Sequence, residues 1–153
     1  MKFILRAVPV VARLSIGFIF AYSGFSKLLA PVENFRGALA AYEIFPSFTL
    51  PLIAQFFPWL ELIFGVFLIL GFASRWSALA LAVFSLFFIC SLSLSKIMTG
   101  VFPAECGCFG EGIHLKGRQV ILLDSAILVI GVILFRIKKH WASLDQWLMK
   151  DQP

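Results

Sequence analysis

Two cysteines separated by a single glycine, Cys106-Gly107-Cys108, lie in the stretch Glu-Cys-Gly-Cys-Phe-Gly and are the residues best suited to chemistry in this chain. They can close an intraloop disulfide, because Gly107 tolerates the tight backbone that so small a ring demands. Such a ring is strained, and strain raises the reduction potential, which marks an exchangeable disulfide more than a durable staple. Three uses of the pair compete. In a redox relay, a partner's thiolate attacks the disulfide, forms a mixed disulfide and leaves the loop reduced. In a metal site, two thiolates with His114 and the flanking Glu105 and Glu111 would hold zinc or copper(I). In a structural role, the disulfide only shapes the loop. His114 has no second imidazole nearby, since the other histidine is His140, so no metal ligand set is assigned and the redox relay is preferred. The third cysteine, Cys90, is left over by the count and lies about ten residues inside an apolar segment, where it reads as a buried packing thiol.

A second set of residues stands out because charge is costly where they lie. Glu61 falls near the middle of an apolar run, where an isolated carboxylate costs several kcal/mol and has to be paired or protonated. Membrane helices associate through small residues, so Gly, Ala and Ser mark the face turned to a neighbour. Gly17, Ala21 and Gly24 make such a face, and Arg13 and Lys27 extend it; Glu61 sits four residues before Gly65, and Asp124 seven before Gly131. These ionisable groups therefore point inward. Helical side chains lean toward their own N-terminus, so Glu61 and Lys27, on oppositely running helices, lean toward each other, while Arg13 leans away. The expected cluster is Glu61, Lys27 and Asp124, with Lys96 as a further candidate. The competing readings are a hydrogen bond across helices for Glu61 and, favoured for Lys96, snorkelling to the headgroups. Pro58 removes one backbone bond in the turn before Glu61, which either opens a cavity or serves packing.

The elements that must position these groups follow from composition. Of 153 residues, 61% are hydrophobic and 14% charged, more apolar surface than a soluble core of this size absorbs. A membrane helix needs ~20 apolar residues, and the chain has room for four, expected at about 8–29, 50–71, 76–99 and 115–137 in one membrane domain. The apolar first segment runs on to Leu29 without a convincing small-residue cleavage site and reads as an uncleaved helix. Between Pro31 and Pro46 a short helix against the membrane is expected. Around Ser74 and Arg75 the connection is a tight turn. The stretch from Gly100 to Arg118 is the long polar connection and holds the cysteine pair. After Phe135, Trp141, Leu144, Trp147 and Leu148 share a helical face, which suggests an interfacial helix over about 140–150.

Orientation follows from the basic residues. Eight Lys and Arg lie on the side of the two termini and five on the other, which puts both termini in the cytoplasm and the Cys-Gly-Cys loop on the outward face. The net charge of +5 does not indicate nucleic acid, because the basic residues flank apolar runs and form no stripe with stacking aromatics. The outward side is the oxidising one, where a disulfide persists.

These stretches resemble the methylamine utilisation protein MauE family, within the wider DoxX-like group of four-helix membrane proteins. The matching pieces are Tyr22-Ser-Gly-Phe-Ser-Lys27-Leu with Pro31 and Phe35, Phe57-Pro-Trp-Leu-Glu61-Leu with Gly65, Leu70 and Gly71, and Cys106-Gly-Cys-Phe-Gly110. The resemblance implies a multi-pass protein of the bacterial inner membrane, associated with methylamine utilisation. It further implies action beside a thioredoxin-like periplasmic partner in forming or transferring disulfides for a disulfide-rich enzyme. The DoxX branch is linked to sulfur and quinone chemistry, which would suit an electron acceptor in the bilayer; no motif in the sequence itself marks a quinone site, so the cofactor is left open with a quinone as a candidate.

The sequence is thus read as an all-α, four-transmembrane-helix bundle for thiol–disulfide exchange, with Cys106 and Cys108 as the redox pair. Glu61, Lys27 and Asp124 are its proton- or cofactor-associated groups. The alternative is a non-catalytic membrane assembly factor, or a metal-binding loop protein, that holds a periplasmic partner.

Overall fold

The computed structural model of the chain describes residues 2–100 and 117–136, with side chains from Val8 onward. Cys106, Cys108, His114 and the expected interfacial helix at 140–150 lie outside the described residues. Within them the chain is helical throughout: α1 (Lys2–Leu29), α2 (Val32–Ala40), α3 (Leu50–Leu70), α4 (Ser74–Thr99) and α5 (Gly117–Arg136). Four helices are long and apolar enough to cross a membrane, over Val8–Leu29, Leu50–Leu70, Ser74–Thr99 and Gly117–Arg136. Large apolar side chains such as Leu122, Phe18 and Val129 stand exposed around their outer faces, as a bilayer solvent permits.

Local chemistry sets the helix ends. Pro46 closes the turn before α3, where its carbonyl accepts from the hydroxyl and the amide of Thr49 at 2.8 and 3.0 Å, and a proline follows in the first turn of α3, where no amide donor is needed. Gly71 ends α3 in the left-handed region at φ 76°, and its neighbour Phe72 returns an amide to the Phe67 carbonyl at 2.9 Å. The sharp connection is therefore Gly71 to Ala73. Ser74 and Arg75, expected to form the turn, already belong to α4. Arg75 instead reaches across to α5, where its Nε donates to the Phe135 carbonyl at 3.0 Å and its guanidinium covers the Phe135 ring.

The spans pack chiefly as two antiparallel pairs, α1 with α3 and α4 with α5. The first pair meets backbone to backbone. A Cβ on Gly24 would lie 2.6 Å from the Pro58 carbonyl oxygen, and one on Gly65 would lie 2.6 Å from the Ala21 nitrogen. The second pair meets where Gly131 faces Ala78 and Ala82. With no hydrophobic drive between helices in lipid, such close contact is what dispersion and backbone packing can use. Two hydroxyls bond back within their own helices: Ser91 of α4 donates to the Phe87 carbonyl at 2.8 Å and Ser125 of α5 to that of Ile121 at 2.6 Å.

Two apolar clusters fill the bundle. One, at the end that carries α2, joins Phe35, Leu39, Tyr42, Leu50, Phe88, Leu92 and Val120; the other joins Ile16, Phe20, Leu68, Leu81, Ile127 and Leu134. The short helix expected in the first connection is α2, and it does more than lie on a surface: Phe35, Leu39 and the following Tyr42 are buried in the first cluster.

Candidate functional site

The inward-pointing residues of α1, α3 and α5 converge between the two apolar clusters. On α1, the spacing Ser23, Gly24, Lys27 places a hydroxyl, a bare backbone and an ammonium on one face, and all three are buried. Gly24 lets α1 settle onto the Pro58 carbonyl, so the next turn of α3 brings Glu61 opposite Ser23 and Lys27. Pro58 is itself buried in an unbroken α3, and its packing role is the one the geometry displays.

Lys27 Nζ donates to both carboxylate oxygens of Glu61, at 2.9 Å to Oε1 and 2.7 Å to Oε2. The Ser23 hydroxyl adds a long contact of 3.4 Å to Oε2. Glu61 is 1% exposed and Lys27 3%, so the pair is withdrawn from any solvent. Two aromatic rings complete the enclosure of the ammonium: Phe35 of α2, with its centroid 4.8 Å from Nζ, and Phe88 of α4, at 5.1 Å. A desolvated cation over a ring face gains about 2 kcal/mol. Lys27 is thus held by groups from three other helices, and loss of the Glu61 carboxylate would leave its charge unpaired in a dry interior.

On the far side of Glu61 lies a small cavity. Ser23 of α1, Glu61 of α3 and Asp124 of α5 supply its polar wall, with Phe20, Phe88 and Ile127 among its apolar lining. It leaves about 10 Å³ for the centres of water-sized molecules, which is about one water. Asp124 is 6% exposed. A quinone ring does not fit this space, so it offers a quinone no seat beside Glu61.

Cys106 and Cys108 lie outside the described residues, and the other site residues read from the sequence fall within them. Lys27 and Glu61 are bonded to each other, and Asp124 joins Glu61 at the cavity. Arg13 is also buried, as its place on the small-residue face required. Lys96 is exposed in the last turn of α4, in keeping with the snorkelling expected of it. Cys90 is a correction: it is exposed on α4, not a buried packing thiol. The buried face of α4 runs through Ser77, Leu81, Ser85, Phe88 and Ser91, and position 90 falls outside that stripe. Phe35 and Phe88 were not singled out as site residues, although Phe35 stands eight residues after Lys27, across Pro31. No group of three or more metal-ligating side chains occurs among the described residues.

The cysteine pair belongs to the segment joining α4 to α5. The described chain leaves α4 at Gly100 and resumes at Gly117, at the end of the bundle that carries α2 and Lys27. No curated protein sequence and no solved structure matches this chain. A family model, methylamine utilisation protein MauE, matches residues 5–137, a stretch that takes in α1 from its first turns through α5, together with Lys27, Glu61, Cys106, Cys108 and Asp124. With that match over most of its length and four apolar helices to span a bilayer, the chain belongs to the MauE family as a multi-pass membrane protein.

Proposed function

We propose that the protein is a membrane thiol–disulfide exchange protein of the bacterial inner membrane. Both termini are cytoplasmic, and Cys106 and Cys108 are the exchanging pair on the outer side. Its partner is a thioredoxin-like periplasmic protein, and its setting, by the family to which it belongs, is the maturation of a disulfide-rich enzyme of methylamine utilisation. The carrying observation is that the segment bearing Cys106 and Cys108 is anchored, through Gly100 and Gly117, at the end of the bundle nearest the buried Lys27–Glu61 pair. A redox loop and a polar intramembrane site then share one end of one molecule.

The exchange balances as follows. A thiolate of the reduced partner attacks one sulfur of the Cys106–Cys108 disulfide, that S–S bond breaks, and a mixed disulfide joins the two proteins. The partner's second thiol then displaces the loop. The partner's dithiol becomes a disulfide, and Cys106 and Cys108 become thiols, with two electrons and two protons moved. Re-forming the Cys106–Cys108 disulfide passes two electrons to a second oxidant, such as the disulfide of another protein or a two-electron acceptor in the bilayer, and releases two protons, which Lys27, Glu61 and Asp124 handle.

Single variants Cys106→Ser and Cys108→Ser test the exchange. Both should lose turnover, and one should accumulate a reducible covalent adduct with a periplasmic protein. If neither traps a partner, and the wild-type pair resists a glutathione buffer poised well above about −300 mV, the exchange reading fails. A double Cys→Ser variant that loses partner binding rather than turnover would point to a docking loop instead.

A further inference from the structure

Lys27 and Lys96 hold matching places. Each stands in the last turn of a span that runs toward the end of the bundle carrying α2, Lys27 in α1 and Lys96 in α4. A lysine so placed ordinarily extends its ammonium to water or headgroups, and Lys96 is exposed. The Lys27 side chain, at 0% exposure, is turned wholly inward. Two contacts separate it from Lys96. Its ammonium meets the carboxylate of Glu61, which lies deeper, roughly 16 Å along α3 from the start at Leu50. The Phe35 ring of α2 then covers that ammonium from 4.8 Å.

The covering helix is lightly built. α2 has nine residues, too few for a helix to be stable by itself, and its first turn has no side-chain cap. It breaks from α1 at Pro31 and reaches α3 through a joint in which Glu43 takes left-handed backbone at φ 57°, where a residue with a side chain is strained. Phe35, Leu39 and Tyr42 are buried, while Glu33, Arg36, Gly37 and Ala40 are exposed. Phe35 is thus at once an anchor of α2 and a wall of the enclosure around the ammonium.

We propose that α2 is a lid, with Phe35 as its plug and the joints at Pro31 and Glu43 as its hinges. Closed, as in this structure, it seals Lys27 against Glu61. Open, it frees the Lys27 ammonium to extend to the aqueous boundary as Lys96 does, and it admits water to Glu61. The lid depends on the packing of α2 alone and stands whether or not Cys106 and Cys108 exchange disulfides.

Acylation by a membrane-impermeant N-hydroxysuccinimide ester, followed lysine by lysine by mass spectrometry on the full-length protein in lipid nanodiscs, tests it. Lys96 is the internal reference. In the wild-type protein Lys27 should react about tenfold or more slowly than Lys96, because it waits on a local opening. It should nevertheless react well before the amides of α1 and α3 exchange their hydrogens. Phe35→Ala should raise the Lys27 rate about tenfold or more and leave that of Lys96 unchanged, and Phe35→Leu, which keeps apolar bulk, should fall between. The wild-type rates are decisive without any variant having to fold. A Lys27 that keeps pace with Lys96 has no seal over it, and one that reacts only as α1 and α3 exchange is released by global unfolding; either result overturns the lid. So does a folded Phe35→Ala variant with the wild-type Lys27 rate.

Discussion

Gly24 of α1 lies so close to Pro58 of α3 that a methyl group on Gly24 would stand 2.6 Å from the Pro58 carbonyl oxygen. One turn further along each helix are Lys27 and Glu61, so this backbone contact sets the distance across which the buried ion pair forms.

Gly24→Leu should therefore be costly, since neither the Pro58 carbonyl nor the Leu62 backbone beside it can move out of the way. We expect a loss of about 3 kcal/mol or more, measured by reversible unfolding in mixed micelles. Gly37 is the control: it lies in α2 with open space where its side chain would be, and Gly37→Ala should stabilise by about 1 kcal/mol. Equal effects at the two positions would mean that α1 and α3 do not meet as described.

Lys27→Met and Glu61→Leu should each destabilise by about 3 kcal/mol or more, because either leaves a buried charge without its counter-ion. The double variant should recover most of the loss. A double-mutant cycle in which the two effects merely add would dissolve the coupling. Glu61→Gln keeps the shape and one acceptor for Lys27 but not the counter-charge, so it should cost less stability than Glu61→Leu, retain the fold and impair turnover.

Cys90 now sharpens the test of orientation. A membrane-impermeant thiol reagent applied to intact, mildly reduced cells should label Cys106 or Cys108. It should leave Cys90 untouched, because Cys90 lies on the outer face of an apolar span where a charged reagent does not reach. A lipophilic maleimide should label Cys90 as well. Labelling of the loop only after lysis would reverse the orientation.

Arg75→Met should remove a charged donor from the Phe135 carbonyl and a cation from the face of its ring. A hydrogen bond to a charged group contributes about 1.5–3 kcal/mol, and we expect the lower end for an exposed one, seen as earlier unfolding of α4 and α5 by hydrogen exchange. Unchanged protection of those helices would show that the clasp adds nothing.

Much of this architecture was legible because lipid imposes simple rules on a chain. Four apolar runs gave four spans, and the Gly and Ala positions on α1 and α3 gave the contact face. The lean of helical side chains toward their N-termini brought Lys27 and Glu61 together before any coordinate was known. Two things were not legible. Phe35 and Phe88 enclose Lys27 because α2 docks its buried side into the bundle, and a nine-residue helix of mixed composition does not announce where it will pack. Cys90 was misplaced because depth along a helix says nothing about which way a residue faces. The serine and alanine stripe of α4, from Ser77 to Ser95, carried that information and points away from position 90.

The ion pair also bears on how the chain enters the bilayer. A charged residue placed centrally in a lone helix adds roughly 2.5–3.5 kcal/mol to the free energy of insertion. α3 carries that load in Glu61 and α1 carries a part of it in Lys27, and each relieves the other only when both are in the membrane. Integration of α1 and α3 as a joined hairpin, with α2 and its turn as the connecting loop, is therefore favoured over their entry one at a time. The glycine contact that lets the two backbones touch would be made during biogenesis, before α4 and α5 arrive.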